Sequence, residues 1–153
     1  MKMTIRKAEK KDIRTIAEFQ QKMARETENL QLDETVLVKG VGSVFENPSL
    51  GFYLLAQDEG RVIASMLLTP EWSDWRNSLF LWIQSLYVIP EYRKKGVFRM
   101  MYDHVRNMVS ESDEYAGLKL YVDKGNTRAQ EVYRRVGMEA SHYNLFEWNK
   151  MEY

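Results

Sequence analysis

The sequence predicts an α/β domain in which helices flank a mixed β-sheet. Short β-rich runs alternate with stretches whose apolar residues recur at helical spacing, in the order βααβββ and then αβαβ. Glycine, asparagine, aspartate and proline mark the boundaries between these segments. The chain has 153 residues, which is enough for one hydrophobic core, so one domain over residues 1–153 is expected.

The first half of the chain is predicted to hold two helices followed by a hairpin. Asp12 is placed to cap the first helix, because a short acidic side chain accepts hydrogen bonds from the first-turn N–H groups, and the second helix is expected to start at Asp33. Asn47-Pro48 ends the second helix, and Asp58-Glu59-Gly60 joins the two strands of the hairpin. The predicted elements are a strand at residues 3–6, helices at 12–27 and 33–46, and strands at 52–57 and 61–69.

The second half is predicted to contain three more strands and two more helices. After Gly96, the apolar residues Val97, Met101 and Val105 recur at helical spacing and predict a helix with one buried face. Asn126 or Thr127 is placed to cap the last helix, and Gly137 is placed to end it. The predicted elements are a loop at residues 70–77, a strand at 79–88, a helix after Gly96, a strand at 118–122, a helix after Asn126 and a last strand at 141–148.

Composition argues against several functional classes. Lys plus Arg and Asp plus Glu both number 22, and a protein whose main partner is nucleic acid is usually more basic. No segment approaches the roughly 20 apolar residues that span a bilayer, so no membrane partner is expected. The chain has no cysteine, which favours the cytoplasm and excludes a thiolate nucleophile. It has two histidines, which leave few ligands for a metal site.

Residues 83–105 have the order strand, basic loop, helix, and this order builds an anion site. Free N–H groups in the first turn of a helix attract phosphate, and the helix dipole adds partial positive charge. The cations Arg93, Lys94 and Lys95 precede the helix directly, and Gly96 lets the backbone approach a ligand closely. The simplest ligand for such a site is a diphosphate that is carried by a cofactor.

Two segments resemble the GNAT N-acetyltransferase superfamily, which uses acetyl-CoA. They read Leu86-Tyr87-Val88-x-Pro90-x-x-Arg93-x-x-Gly96 and Asn126-x-x-Ala129-x-x-x-Tyr133-x-x-x-Gly137. The family's loop is Gln/Arg-x-x-Gly-x-Gly/Ala; its first four positions match here, whereas Phe98 stands where a small residue is usual. The resemblance implies an acyltransferase with a mixed, mostly antiparallel sheet of six to seven strands and about four helices.

The resemblance also implies where acetyl-CoA binds. The backbone of the strand before the loop would pair with the pantetheine arm as an added strand does, and the loop N–H groups would surround the pyrophosphate. Phe98 either narrows this site or packs away from it. The residues expected to bind the cofactor are Leu86, Tyr87, Val88, Arg93, Lys94, Lys95, Gly96, Val97, Phe98, Arg99, Asn126, Ala129 and Tyr133.

Tyr133 and Gln84 are the catalytic candidates. Tyr133 matches the position that the family uses as the general acid towards the sulfur. Gln84 lies about where many members carry a glutamate base, and because an amide cannot accept a proton at neutral pH it would orient water or substrate. A relay then needs another carboxylate. The candidates for the acceptor site are Glu26 and Glu28 at the end of the first helix, and Trp72, Asp74 and Trp75 in the predicted loop.

The sequence therefore predicts an N-acetyltransferase that moves acetyl from acetyl-CoA directly to a primary amine of a small molecule or peptide. No covalent acyl-enzyme is expected, because the chain lacks cysteine. The alternative is a catalytically silent domain that binds or senses acyl-CoA, which the amide at Gln84 suggests. Exposed strand edges and the tryptophan-rich loop offer surfaces for a homodimer.

Overall fold

A computed structural model describes residues 1–151, which divide into an N-terminal unit, Met1–Leu120, and a C-terminal unit from Tyr121 onward. The N-terminal unit contains five strands and three helices, and the C-terminal unit contains a fourth helix. The strands are β1 (Met3–Lys7), β2 (Phe52–Asp58), β3 (Arg61–Ser73), β4 (Ser78–Val88) and β5 (Tyr115–Leu120). The helices are α1 (Ile13–Glu28), α2 (Glu34–Glu46), α3 (Val97–Ser110) and α4 (Thr127–Arg135).

The five strands form one mixed sheet in the order β1-β2-β3-β4-β5. The first three pairings are antiparallel, and β4 pairs with β5 in parallel. The four helices and the mixed, mostly antiparallel character are as predicted, whereas the expectation of six to seven strands is wrong for residues 1–151. No helix in this part of the chain is both long and apolar enough to cross a bilayer.

The predicted last strand at residues 141–148 does not form. This segment has no regular structure, and its large apolar side chains are exposed, with Phe146 93% and Trp148 86% exposed. A strand is stabilised by burying alternate side chains on one face, and this segment buries none of its residues.

The core on one face of the sheet joins the first two helices to the central strands. Ile16 and Ala17 of α1 and Val41 of α2 pack with Tyr53 and Leu55 of β2. Burial raises the pKa of the Tyr53 phenol to about 12. Helix α1 also contacts β4, and α3 contacts β4 and β5, so two helices approach the strand that precedes the basic loop.

Local capping follows the sequence at Asn126 and Gly137, and Asp33, where the second helix is expected to start, is also a cap. Asp33 accepts a hydrogen bond from the N–H of Val36, and Asn126 accepts one from the N–H of Ala129. Gly137, with φ +99°, ends α4 through two hydrogen bonds typical of a Schellman motif. The prediction for Asp12 is wrong, because its side chain accepts two hydrogen bonds from Arg6, at 2.8 and 2.9 Å, instead of capping α1.

The predicted loop at residues 70–77 is strand in its first half. β3 continues to Ser73 and β4 begins at Ser78, so only a short turn remains between them. Beyond the Phe52–Leu68 pair, β3 has β4 as its partner and its other edge is no longer paired with β2. Pro70 is tolerated there because an edge position does not require its missing N–H group.

Candidate functional site

A fork opens between β4 and β5. Their parallel pairing runs from Leu79–Tyr115 to Ile83–Leu120 and ends there, whereas the pairing of β4 with β3 continues to Val88. The last five residues of β4 therefore keep one edge without a strand partner within the N-terminal unit. A peptide-like ligand can pair with such an edge.

Two residues direct their backbone groups to this open edge. The N–H of Ile89 donates to the carbonyl of Ile63, which makes that pair a hydrogen-bonded one. Hydrogen-bonded and non-hydrogen-bonded pairs alternate along antiparallel strands. We infer that Tyr87 bonds to β3, whereas the N–H and C=O groups of Leu86 and Val88 face the fork.

The chain leaves β4 through a basic loop that ends at the N-terminus of α3. Lys94 and Gly96 have φ angles of +62° and +81°, in the left-handed region, and a Cβ on Gly96 would meet nothing within 4 Å. The first α3 bond shown runs from the N–H of Met100 to the carbonyl of Gly96. The N–H groups of Val97, Phe98 and Arg99 precede it and are the donors that a helix leaves for an anion.

Phe98 packs along its own helix. Its ring lies 5.9 Å from that of Tyr102, one turn later, and the two rings are stacked. Tyr102 is buried, with 4% of its surface exposed. The large side chain is therefore accommodated by packing, while the backbone N–H of Phe98 keeps its place in the first turn.

The side chain of Arg93 occupies the open edge of β4. Its Nε donates to the carbonyl of Val88 at 2.8 Å, and its Nη2 donates to Glu26 Oε2 at 2.8 Å. The guanidinium also lies 5.3 Å from the centre of the Tyr87 ring, whose hydroxyl donates to Glu26 at 3.4 Å. Burial, and next the Glu26 charge, raise the pKa of Tyr87. The structure thus joins a predicted cofactor residue to a predicted acceptor residue.

Gln84 forms a β-bulge where the fork begins. Leu67 pairs with Ser85 and Leu68 pairs with Ile83, so Gln84 is the extra residue of β4. Its Nε2 donates to Thr69 Oγ1 at 2.9 Å. Bulges redirect side chains and are frequent beside active sites.

Glu71 and Lys119 form a polar cluster that sequence reasoning missed. Lys119 Nζ donates to Glu71 Oε2 at 2.8 Å, and the indole N–H of Trp82 donates to Oε1 at 3.0 Å. The hydrogen bond from Lys119, and to a smaller extent that from Trp82, lower the pKa of Glu71. The two charged residues are 48 positions apart, so no local spacing indicates the pair.

The remaining predicted acceptor residues lie elsewhere. Trp72 is in β3 and 59% exposed, and Trp75 in the following turn is 90% exposed. Asp74 is in the same turn, which precedes β4, whereas Arg93 follows β4. The 11 residues of β4 separate the two by about 33 Å along the strand. Glu28 is the exposed last residue of α1. The turn is therefore not brought together with Glu26.

In the C-terminal unit, α4 presents the second motif. The side chain of Asn126 caps the helix by accepting from the N–H of Ala129 at 3.1 Å. Burial raises the pKa of the Tyr133 phenol, which therefore stays protonated at neutral pH.

Comparison with known proteins identifies the family. The family model described as "Acetyltransferase (GNAT) family" matches residues 10–138. The chain belongs to this GNAT acetyltransferase family. It is accordingly an acyltransferase, of a family that uses acetyl-CoA as its co-substrate.

Solved structures agree with this membership. A crystal structure of "a possible acetyltransferase" from Clostridium difficile 630 is 39% identical, with a TM-score of 0.92, over 98% of this chain and 99% of that one. The aminoglycoside N-acetyltransferase AAC(6')-Iy in complex with CoA is 14% identical, with a TM-score of 0.78, over 98% of this chain and 96% of that one. This last likeness concerns the fold alone. No curated protein matches the GNAT chain.

Proposed function

We propose that this GNAT protein transfers acetyl from acetyl-CoA directly to a primary amine of a small molecule or peptide. The observation that carries the proposal is the open edge of β4, which leads straight into the loop and first turn of α3. The edge offers paired donors and acceptors to an amide-bearing arm, and the turn offers N–H donors to a diphosphate. The family model spans residues 10–138 and supports one functional domain.

The residues present fit acetyl-CoA. Leu86 and Val88 supply backbone groups for the pantetheine amides, and open space above Gly96 leaves room for a pyrophosphate against the loop. The Val88 carbonyl is bonded to Arg93 Nε, so pairing of the arm with this carbonyl requires Arg93 to move. Once released, its guanidinium is available as a charged donor to a phosphate.

Bound acetyl-CoA supplies an acyl group that is activated as a thioester. The amine nitrogen forms the new bond to the acyl carbon while the carbon–sulfur bond breaks; the amine loses a proton, and the sulfur gains one. An outward N–H group of Leu86 or Val88 can polarise the acyl oxygen as negative charge develops on it. We assign Tyr133 as the donor of the proton to the sulfur, a role suited to a phenol that stays protonated.

Removal of the amine proton uses groups other than Gln84. Its amide cannot act as a base, but its position at the bulge suits it to orient water or the acceptor. Glu26 is the carboxylate that we assign to the acceptor side, because its partners Arg93 and Tyr87 belong to the loop and to the forked strand.

Thiol release from acetyl-CoA tests the proposal. The protein is incubated with acetyl-CoA and a panel of polyamines, amino acids, aminoglycosides and peptides, and the products are identified by mass spectrometry. We expect thiol release that depends on one class of amine, with the acetyl group on nitrogen. Calorimetric binding of coenzyme A without thiol release from any amine would favour the silent acyl-CoA-binding alternative, and no binding at all would overturn both.

A further inference from the structure

Three side chains of the sheet form a box around an ammonium group. Glu71 accepts from Lys119 Nζ at 2.8 Å, and that Nζ lies 4.0 Å from the centre of the Phe80 ring and 5.6 Å from that of Trp82. Carboxylates and aromatic faces are the groups that bind ammonium ions in proteins. We call Glu71, Phe80 and Trp82 the ammonium box.

The ammonium box lies at the base of the fork. Trp82 pairs with Lys119, and the next pair, Ile83–Leu120, is the last before β4 and β5 part. Side chains alternate between faces along β3, so Glu71 shares its face with Thr69, which accepts from Gln84 at the bulge. The box is therefore a neighbour of the edge at which the proposed function places the thioester arm.

A ligand can reach the ammonium box from solvent. The side chains of Glu71 and Lys119 are 41% and 37% exposed. The ionised carboxylate of Glu71 has about four lone-pair sites, and the hydrogen bonds from Trp82 and Lys119 occupy two of them. The Phe80 ring also has the guanidinium of Arg76 at 5.1 Å from its centre, so two cationic groups already contact this ring.

We propose that the ammonium box is the subsite for an ammonium group of the acceptor, and that Lys119 is an internal occupant that the acceptor displaces. This inference rests on the proposed amine acetylation. An ammonium that is paired with Glu71 has no lone pair for attack, so it anchors the acceptor while a second, neutral amine reacts. The substrate class is therefore a compound with at least two amino groups.

Binding of n-butylammonium chloride, without acetyl-CoA, tests the box. Titration is followed by the indole N–H resonance of Trp82 in NMR spectra, assigned by comparison with Trp82→Phe, with sodium chloride and sodium acetate as matched-salt controls. Lys119→Met removes the internal occupant, so it should bind the probe about 3- to 30-fold more tightly than the wild type, the combined size of an exposed ion pair and a cation–π contact.

Further variants make the result decisive. Glu71→Gln added to Lys119→Met should remove the gain, and Lys119→Gln should repeat it if the methionine variant folds poorly. Lys10→Met is the matched control, because Lys10 forms an exposed ion pair with Glu46 at 3.0 Å. Equal binding by wild type and both Lys119 variants, a gain that survives Glu71→Gln, or a response to acetate instead of butylammonium would overturn the proposal.

Kinetics connect the box to the reaction. The KM for 1,4-diaminobutane should fall in Lys119→Met and rise in Glu71→Gln, whereas the KM for acetyl-CoA should stay the same. An unchanged KM for the diamine in both variants would overturn the assignment of the box to the acceptor. The NMR titration needs no turnover. A protein that binds the probe but transfers no acetyl group would therefore contradict the proposed function and still support the ammonium box as a binding site.

Discussion

Replacing Glu26 by glutamine tests whether the Arg93 side chain competes with a ligand for the open edge of β4. Arg93 Nη2 donates to Glu26 and Nε donates to the Val88 carbonyl, both at 2.8 Å. Glutamine keeps the shape of the side chain but removes the charge that holds the guanidinium in place. Because the proposed pantetheine arm uses the same carbonyl, coenzyme A should bind more tightly to Glu26→Gln than to the wild type.

The expected gain is small and follows from exposure. The side chains of Arg93 and Glu26 are 43% and 42% exposed, so their attraction is largely screened by water. Ion pairs of this kind contribute about 0.2–1 kcal/mol, which corresponds to roughly a 1.4- to 5-fold gain in affinity.

Calorimetric titration with coenzyme A, in the absence of any amine, measures this effect. The gain should shrink as salt rises, because screening weakens the ion pair of the wild type. Glu46→Gln, which breaks the exposed ion pair with Lys10, controls for a general change of charge. Unchanged or weaker binding to Glu26→Gln at low salt would refute the reasoning.

Three other predictions, the last with a control variant, test the catalytic and structural roles. Tyr133→Phe should lower kcat about 100-fold or more with little change in the KM for acetyl-CoA, as removal of a general acid does; an unchanged kcat in steady-state assays would remove that role. Asp12→Ala should cost about 3 kcal/mol in urea unfolding, the lower end for breaking a buried ion pair, because Asp12 is 7% and Arg6 27% exposed. The hydrogen bonds from Arg6 hold the pKa of Asp12 below its usual range in the folded protein. The stability that Asp12 contributes is therefore fully present above its pKa in the unfolded chain and is lost as the pH falls through its pKa in the folded protein. A difference in stability between variant and wild type that does not depend on pH would contradict this explanation. Gly51→Ala should lower the free energy of unfolding by about 3 kcal/mol or more, because φ is +146° and the new Cβ would lie 2.2 Å from the Leu68 carbonyl oxygen. Gly60→Ala, with φ +86° and no neighbour within 4 Å, should lose only about 1 kcal/mol, and equal losses in thermal unfolding would contradict the packing argument.

Local chemistry was readable from the sequence. Gly60 has a positive φ in the predicted Asp-Glu-Gly turn, and the caps at Asn126 and Gly137 form as predicted. These features depend on a few neighbouring residues, so spacing and residue type suffice to predict them. The element order up to α4 and the positions of the basic loop and of α3 follow for the same reason.

Interactions between distant residues were not readable. Asp12 is a residue type that commonly caps helices, but here its carboxylate accepts two hydrogen bonds from the guanidinium of Arg6 instead. The partners of Glu71 and Arg93 lie 48 and 67 positions away, and only the folded sheet and α1 bring them together. The alternation at residues 141–148 resembles a strand, yet alternation alone supplies no burial.

Residue-resolved amide hydrogen exchange of the free and acetyl-CoA-bound protein tests the proposed cofactor site. If the arm pairs with the open edge of β4, the amides of Leu86 and Val88 become protected, as do those of residues 97–99 at the start of α3. The amide of Tyr87 stays unchanged, because it already bonds to β3. Unchanged exchange at Leu86 and Val88 in a protein that binds acetyl-CoA would contradict the site described above.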